Sequence, residues 1–181
     1  MKATANGDIS FLPARRICAS LAISLAITVA LTPSTASGRD SLGIFQNWGA
    51  FRDGAVPRCY AIAKAEPSTL SRQYRPFASV GTWPRRNIRG QLHIRLSRKL
   101  APETPVTLYI GGQRYRLASG GGDAWAKDRA MDAAIVAAMR VAGQMIVGAR
   151  DSSGRRFSNT YDLSGAATAM DAATVACARY R

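Results

Sequence analysis

Few side chains in this sequence could carry out a reaction: one histidine, His93, and three cysteines, Cys18, Cys59 and Cys177. A thiolate with an imidazole base needs a lowered thiol pKa and an orienting partner, and nothing near Cys59 or Cys177 supplies both. Cys18 lies in an expected leader, and one histidine with two cysteines expected to bond to each other cannot assemble a usual zinc site, so no metal or cofactor is expected. Gly120-Gly121-Gly122 lacks the Gly-Lys-Ser/Thr of a phosphate loop, and Asp123 would repel phosphate, so the glycines read as a flexible connector. No Gly-x-Ser-x-Gly elbow is present. Glu66 and Glu103 stand beside prolines in expected loops, and the aspartates cluster at helix starts and turns, which leaves no carboxylate pair for glycoside cleavage. The chain reads as non-catalytic.

The abundant chemistry is cationic. Lys and Arg number 25 against 11 Asp and Glu in 181 residues, a formal charge of +14. Such an excess favours anionic polymers, phosphorylated glycolipids or acidic lipid head groups, and it speaks to partners rather than to fold. Arg89, Arg95, Arg114 and Arg116, together with His93, alternate with apolar residues and so share outward strand faces, while Trp83, Arg85 and Arg86 stand at a strand end. A planar guanidinium pairs bidentately with phosphate or carboxylate and stacks on an indole, which suits an acidic glycan, lipopolysaccharide or an acidic head group. The competing reading is that outward arginines keep the body dissolved, and that the protein works by protein contact as a periplasmic scaffolding or stability factor. A dedicated nucleic-acid function is not expected.

These residues need a body to hold them, and the sequence places that body after a leader. Arg15 and Arg16 precede an apolar run from Ile17 to Leu31, which ends in the small-residue stretch Pro33 to Gly38. This is the layout of a secretory signal peptide, and the run is too short and too interrupted by Ser20, Ser24 and Thr28 to span a bilayer. We expect residues 1–38 to be cleaved, leaving one domain, 39–181, with no transmembrane span, in the periplasm or outside a bacterial cell. Cys59 and Cys177 then remain in an oxidising compartment, where they are expected to pair. The loop they close would be worth roughly 4 to 5 kcal/mol on a chain-entropy account.

Period-two segments dominate the first two-thirds of the expected domain. Ile88, Gly90, Leu92, Ile94 and Leu96 share one face, and Arg89, Gln91, His93, Arg95 and Ser97 the other. Val106, Leu108 and Ile110 lead through Gly111-Gly112 to Tyr115 and Leu117, a hairpin with a turn suited to positive φ. Met145 to Val147 and Phe157 to Leu163 flank the turn-rich segment 151–154 as a second hairpin. Shorter strands are expected at Gln46–Phe51, Cys59–Ala63 and Ala78–Trp83, with loops at Glu66–Pro76 and Ala118–Asp123, the latter the most flexible. Helical spacing takes over twice. Asp128 to Ala142 carries a stripe of Met131, Ala134, Ile135, Ala138, Met139 and Ala142, with Gly143 as its stop. A second helix, capped by Ser164, carries Ala166, Ala167, Met170, Ala173, Thr174 and Cys177 on one face.

The order Trp48, Cys59, alternating strands, a helix before a hairpin, and Tyr161-Asp162-Leu163-Ser164-Gly165 leading into an Ala-rich helix resembles the invasion-associated locus B (IalB) family of exported bacterial proteins. Gly165-Ala166 stands where many members carry Gly-Phe. The resemblance covers nearly all of the expected domain. It implies a mainly β, immunoglobulin-like antiparallel β-sandwich with two short helices, one before the last hairpin and one at the C-terminus, in a periplasmic or surface-located protein.

Overall fold

Both residues of the Gly111-Gly112 turn have positive φ, 54° and 76°, which a two-residue hairpin requires and glycine adopts without strain. This turn joins two of ten antiparallel strands in the computed structural model, which describes residues 38–179, all within one compact unit. The expected leader, apart from Gly38, lies outside the described residues. The elements are β1 (Arg39–Phe45), β2 (Trp48–Asp53), β3 (Arg58–Lys64), β4 (Phe77–Trp83), β5 (Ile88–Arg95), β6 (Val106–Ile110), β7 (Gln113–Gly120), β8 (Asp123–Trp125), α1 (Arg129–Met139), β9 (Gln144–Arg150), β10 (Arg156–Asp162) and α2 (Ala166–Ala178). A 3-10 turn, Pro84–Arg86, joins β4 to β5.

The expectation of a mainly β, antiparallel protein with one helix before the last hairpin and one at the end holds. The strands run in a single hydrogen-bonded order, β1-β2-β3-β4-β5-β8-β7-β6-β9-β10. β7 makes this continuity: Gln113 to Leu117 pair with β6, and Ala118 to Gly120 pair with β8. The sheet therefore curls, and its inner faces share one core that includes Leu92, Ile94, Leu108, Met145, Val147 and Tyr161. Trp48 is fully buried, and its Nε1 donates to the Asp162 carbonyl at 2.9 Å, joining the first hairpin to the end of β10. Across the curl, the Ser97 amide donates to Asn159 Oδ1 at 3.0 Å. Ser97 is thus buried just past the end of β5 rather than outward, because its amide is spent on the far strand.

The expected disulfide forms. Cys59 on β3 and Cys177 on α2 are bonded, with Cα atoms 5.8 Å apart and a sequence separation of 118. It holds α2, whose buried residues are Ala166, Ala169, Met170, Ala173 and Cys177, against the inner side of β1 to β4. Thr174, expected on that stripe, is exposed and its Oγ1 donates back to the Met170 carbonyl at 2.8 Å.

Local readings differ from the structure in instructive places. Ser164 does not cap α2; Gly165 occupies that position with φ 86°, while the Ser164 amide donates to Asp162 Oδ1 at 2.6 Å. Residues 118–123 form no loose connector. β7 runs through Gly120, and the turn's carbonyls are held from outside, Gly121 by the Leu100 amide at 2.7 Å and Gly122 by the Leu96 amide at 2.8 Å. Helix α1 ends at Met139, before Gly143, and Ala134 on its expected stripe is exposed. Strands β1 and β8 were not expected at all. The Glu66–Pro76 segment is a loop as read, pinned where the Gln73 and Tyr74 amides both donate to the Ser97 carbonyl.

Candidate functional site

The outer face of the β3-β4-β5-β8 sheet carries an aromatic depression. Alternation turns Ala61, Val80, Leu92 and Ile94 inward, so their neighbours Tyr60, Phe77, Ser79, Gly81, Gln91 and His93 face out. Registry then sets them side by side: Tyr60 opposite Gly81, Ser79 opposite His93, and His93 opposite Trp125. The depression holds about 520 Å³, a size in the range of small-ligand sites, with Arg39 and Arg58 at its rim.

Gly81 makes the floor. Trp83 folds back over it so closely that a Cβ at Gly81 would come within 2.6 Å of the indole. Trp125 stacks on His93 with ring centres 5.7 Å apart, and Phe77 meets the imidazole edge-on at 5.3 Å. Phe51 and Tyr60 extend the aromatic surface at 5.8 Å, and the Arg58 guanidinium lies 4.8 Å over the Tyr60 ring. The result is a set of flat faces around a small-residue floor, suited to covering the apolar side of a sugar ring or another planar group.

Charges at this face are partly neutralised. Asp123 accepts from His93 Nε2 at 2.9 Å and from Arg95 Nη1 at 2.5 Å, and the Arg95 guanidinium also lies 3.9 Å over Tyr74. The imidazole is thereby held flat against Trp125. The Ser79 hydroxyl, its neighbour in register, donates to the His93 main-chain carbonyl at 3.5 Å, so the group opposite the histidine is directed to the backbone. Among the described residues no cluster of three or more His, Cys, Asp or Glu side chains could hold a metal ion.

The arginines singled out in the sequence separate into three groups. Arg85 and Arg86 are exposed on the 3-10 turn directly after Trp83, with Arg89 exposed at the start of β5, and none of the three makes a side-chain ion pair or hydrogen bond among the described residues. Arg95 belongs to the Asp123 network. Arg114 and Arg116 are exposed on β7, and β8 intervenes between that strand and β5, so the four alternating arginines do not form one face on adjacent strands. Trp83 lies where expected, at the end of β4, but as a wall of the depression. Tyr60, Phe77, Gly81 and Trp125 were not singled out as site residues. The pattern Phe77-x-Ser79-x-Gly81-x-Trp83 sets two small residues between two aromatics on one face and was the available signal. No helix among the described residues is long and apolar enough to cross a membrane. Comparison of the chain with protein-family models, with curated proteins and with solved structures finds no match.

Proposed function

We propose that this is an exported, non-catalytic binding protein that lays an acidic glycan of the cell envelope or surface across the aromatic depression, with the anionic substituents on Arg85 and Arg86. The observation that carries this reading is Trp83: its indole is folded onto the outer face over Gly81, and after Pro84 the chain continues into two exposed guanidiniums that are unpaired among the described residues. Stacking surface and bidentate anion donors are thus adjacent, which is what a charged sugar requires. The Cys59–Cys177 bond fits an oxidising compartment, the periplasm or the outside of the cell. We infer kinship with the invasion-associated locus B family from the order of Trp48, Cys59 and Tyr161-Asp162-Leu163-Ser164-Gly165 in the sequence. We infer the immunoglobulin-like sandwich from the way the curl sets the inner face of β5 opposite β10.

Retention on immobilised heparin across a salt series tests the reading. Arg85→Ala/Arg86→Ala and Trp83→Ala should each elute at clearly lower salt than the parent, whereas Arg114→Ala/Arg116→Ala, which removes the same charge elsewhere, should elute close to it. Equal losses from the two arginine pairs would reduce the binding to net charge and overturn the site.

A further inference from the structure

A second cleft lies between the end of the β4-β5 hairpin, α1 and the last turns of α2, holding about 490 Å³. Ala133, Val136 and Ala137 form one stripe of α1 along it, Gly90 leaves space where another residue would place a side chain, and the disulfide-bonded Cys177 lines it from α2. Three arginines border this apolar interior: Arg89, Arg129 and Arg140. Arg140 is committed to Asp171, at 2.7 and 3.3 Å, and so ties α1 to α2. Arg89 and Arg129 make no side-chain ion pair or hydrogen bond among the described residues.

We infer that this cleft binds a long-chain fatty acid, its carboxylate on Arg89 and Arg129 and its acyl chain along the α1 stripe toward Cys177. The volume falls in the range of small-molecule sites, and its lining is small and apolar. A purely apolar ligand would leave these two lining guanidiniums without a function. A carboxylate can pair with a guanidinium while the acyl chain removes apolar surface from water. No residue lining this cleft lines the aromatic depression, so occupancy of one does not depend on the glycan reading of the other.

Titration calorimetry of the disulfide-bonded protein with sodium oleate, below its micelle concentration, tests it. One oleate should bind per chain. Arg89→Ala/Arg129→Ala should weaken binding about tenfold or more, as loss of a charge-assisted bidentate contact does. Ala133 is exposed, so Ala133→Trp should fold, fill the cleft and abolish binding, with thermal unfolding as the check on folding. Neutral 1-monoolein should bind at least about tenfold more weakly than oleate, and Arg85→Ala/Arg86→Ala should leave oleate binding unchanged. Absence of oleate binding by the parent, uptake that survives Ala133→Trp in a folded variant, or monoolein binding as tight as oleate would overturn the assignment.

Discussion

Among the described glycines, Gly165 leaves the least room for a side chain. Its φ of 86° lies in the left-handed region, and a Cβ there would come within 1.9 Å of the Phe45 carbonyl oxygen, a backbone atom that has no rotamer to escape into. Gly165→Ala should therefore lower stability by about 3 kcal/mol or more, read as a shift in the denaturant midpoint; a shift below about 1 kcal/mol would show that the β1-β2 turn yields. Asp151 makes a different demand. Burial alone would raise its pKa, but hydrogen bonds from Arg98 and from the Arg155 and Ser153 amides, with the Arg155 charge, hold it below its ordinary 3.8. A carboxylate depressed in the folded state contributes stability above the unfolded pKa and loses it as pH falls through the folded value. The stability difference between the parent and Asp151→Asn should thus be largest near neutrality and shrink on acidification below about pH 4. A difference that grows on acidification would contradict the role given to the Arg98 pair, whose Nη1 to Oδ2 distance is 2.6 Å.

At the scale of elements, α1 completes a strand. β8 pairs with β5 only over His93 to Arg95, and the Leu92 amide just beyond it is met instead by Asp132 Oδ1 of α1 at 2.8 Å. Burial of that carboxylate, helped by Asp128, raises its pKa although the Leu92 bond pulls the other way. Asp132 therefore favours the folded state less as pH rises from 3.8 through its folded value. Asp132→Asn keeps an acceptor without the charge and should match or exceed the parent at pH 7, whereas Asp132→Ala strands a buried amide and should cost roughly 1 to 3 kcal/mol. Equal losses in both variants would mean the charge itself is required. The sequence pattern marks Asp132 as a helix-start residue and carries no sign of this contact, because the partner is 40 residues away. The same limit governs the other elements. β5, β6, β7, β9 and β10 were legible from alternation, since each buries one face. β1 was not, because its register shifts between Ser41 and Gly43 and breaks the pattern. β8 is three residues long and exists only through its neighbours. Trp83 and Arg85 to Arg89 could be read as a site from chain proximity, but Tyr60, Phe77 and Trp125 join it only through strand register, which residue pattern alone leaves open.

For the molecule as a whole, pairing matters more than the +14 total. Arg52, Arg58, Arg95, Arg98, Arg140 and Arg155 each face a carboxylate, so among the described residues the positive charge without such a partner lies elsewhere, Arg85, Arg86, Arg89 and Arg129 included. These four lie on the turn after Trp83 or along the α1 cleft, the two proposed sites on one disulfide-closed body. The chain has three tryptophans, one fully buried at Trp48 and two on the outer face at Trp83 and Trp125, so their indole N–H signals report the depression directly. Titration of an acidic heparin-type oligosaccharide, followed by two-dimensional ¹H–¹⁵N spectra, should move the Trp83 and Trp125 signals together and leave Trp48 in place. Binding that shifts neither outer-face indole, or all three alike, would contradict a glycan seated on this face.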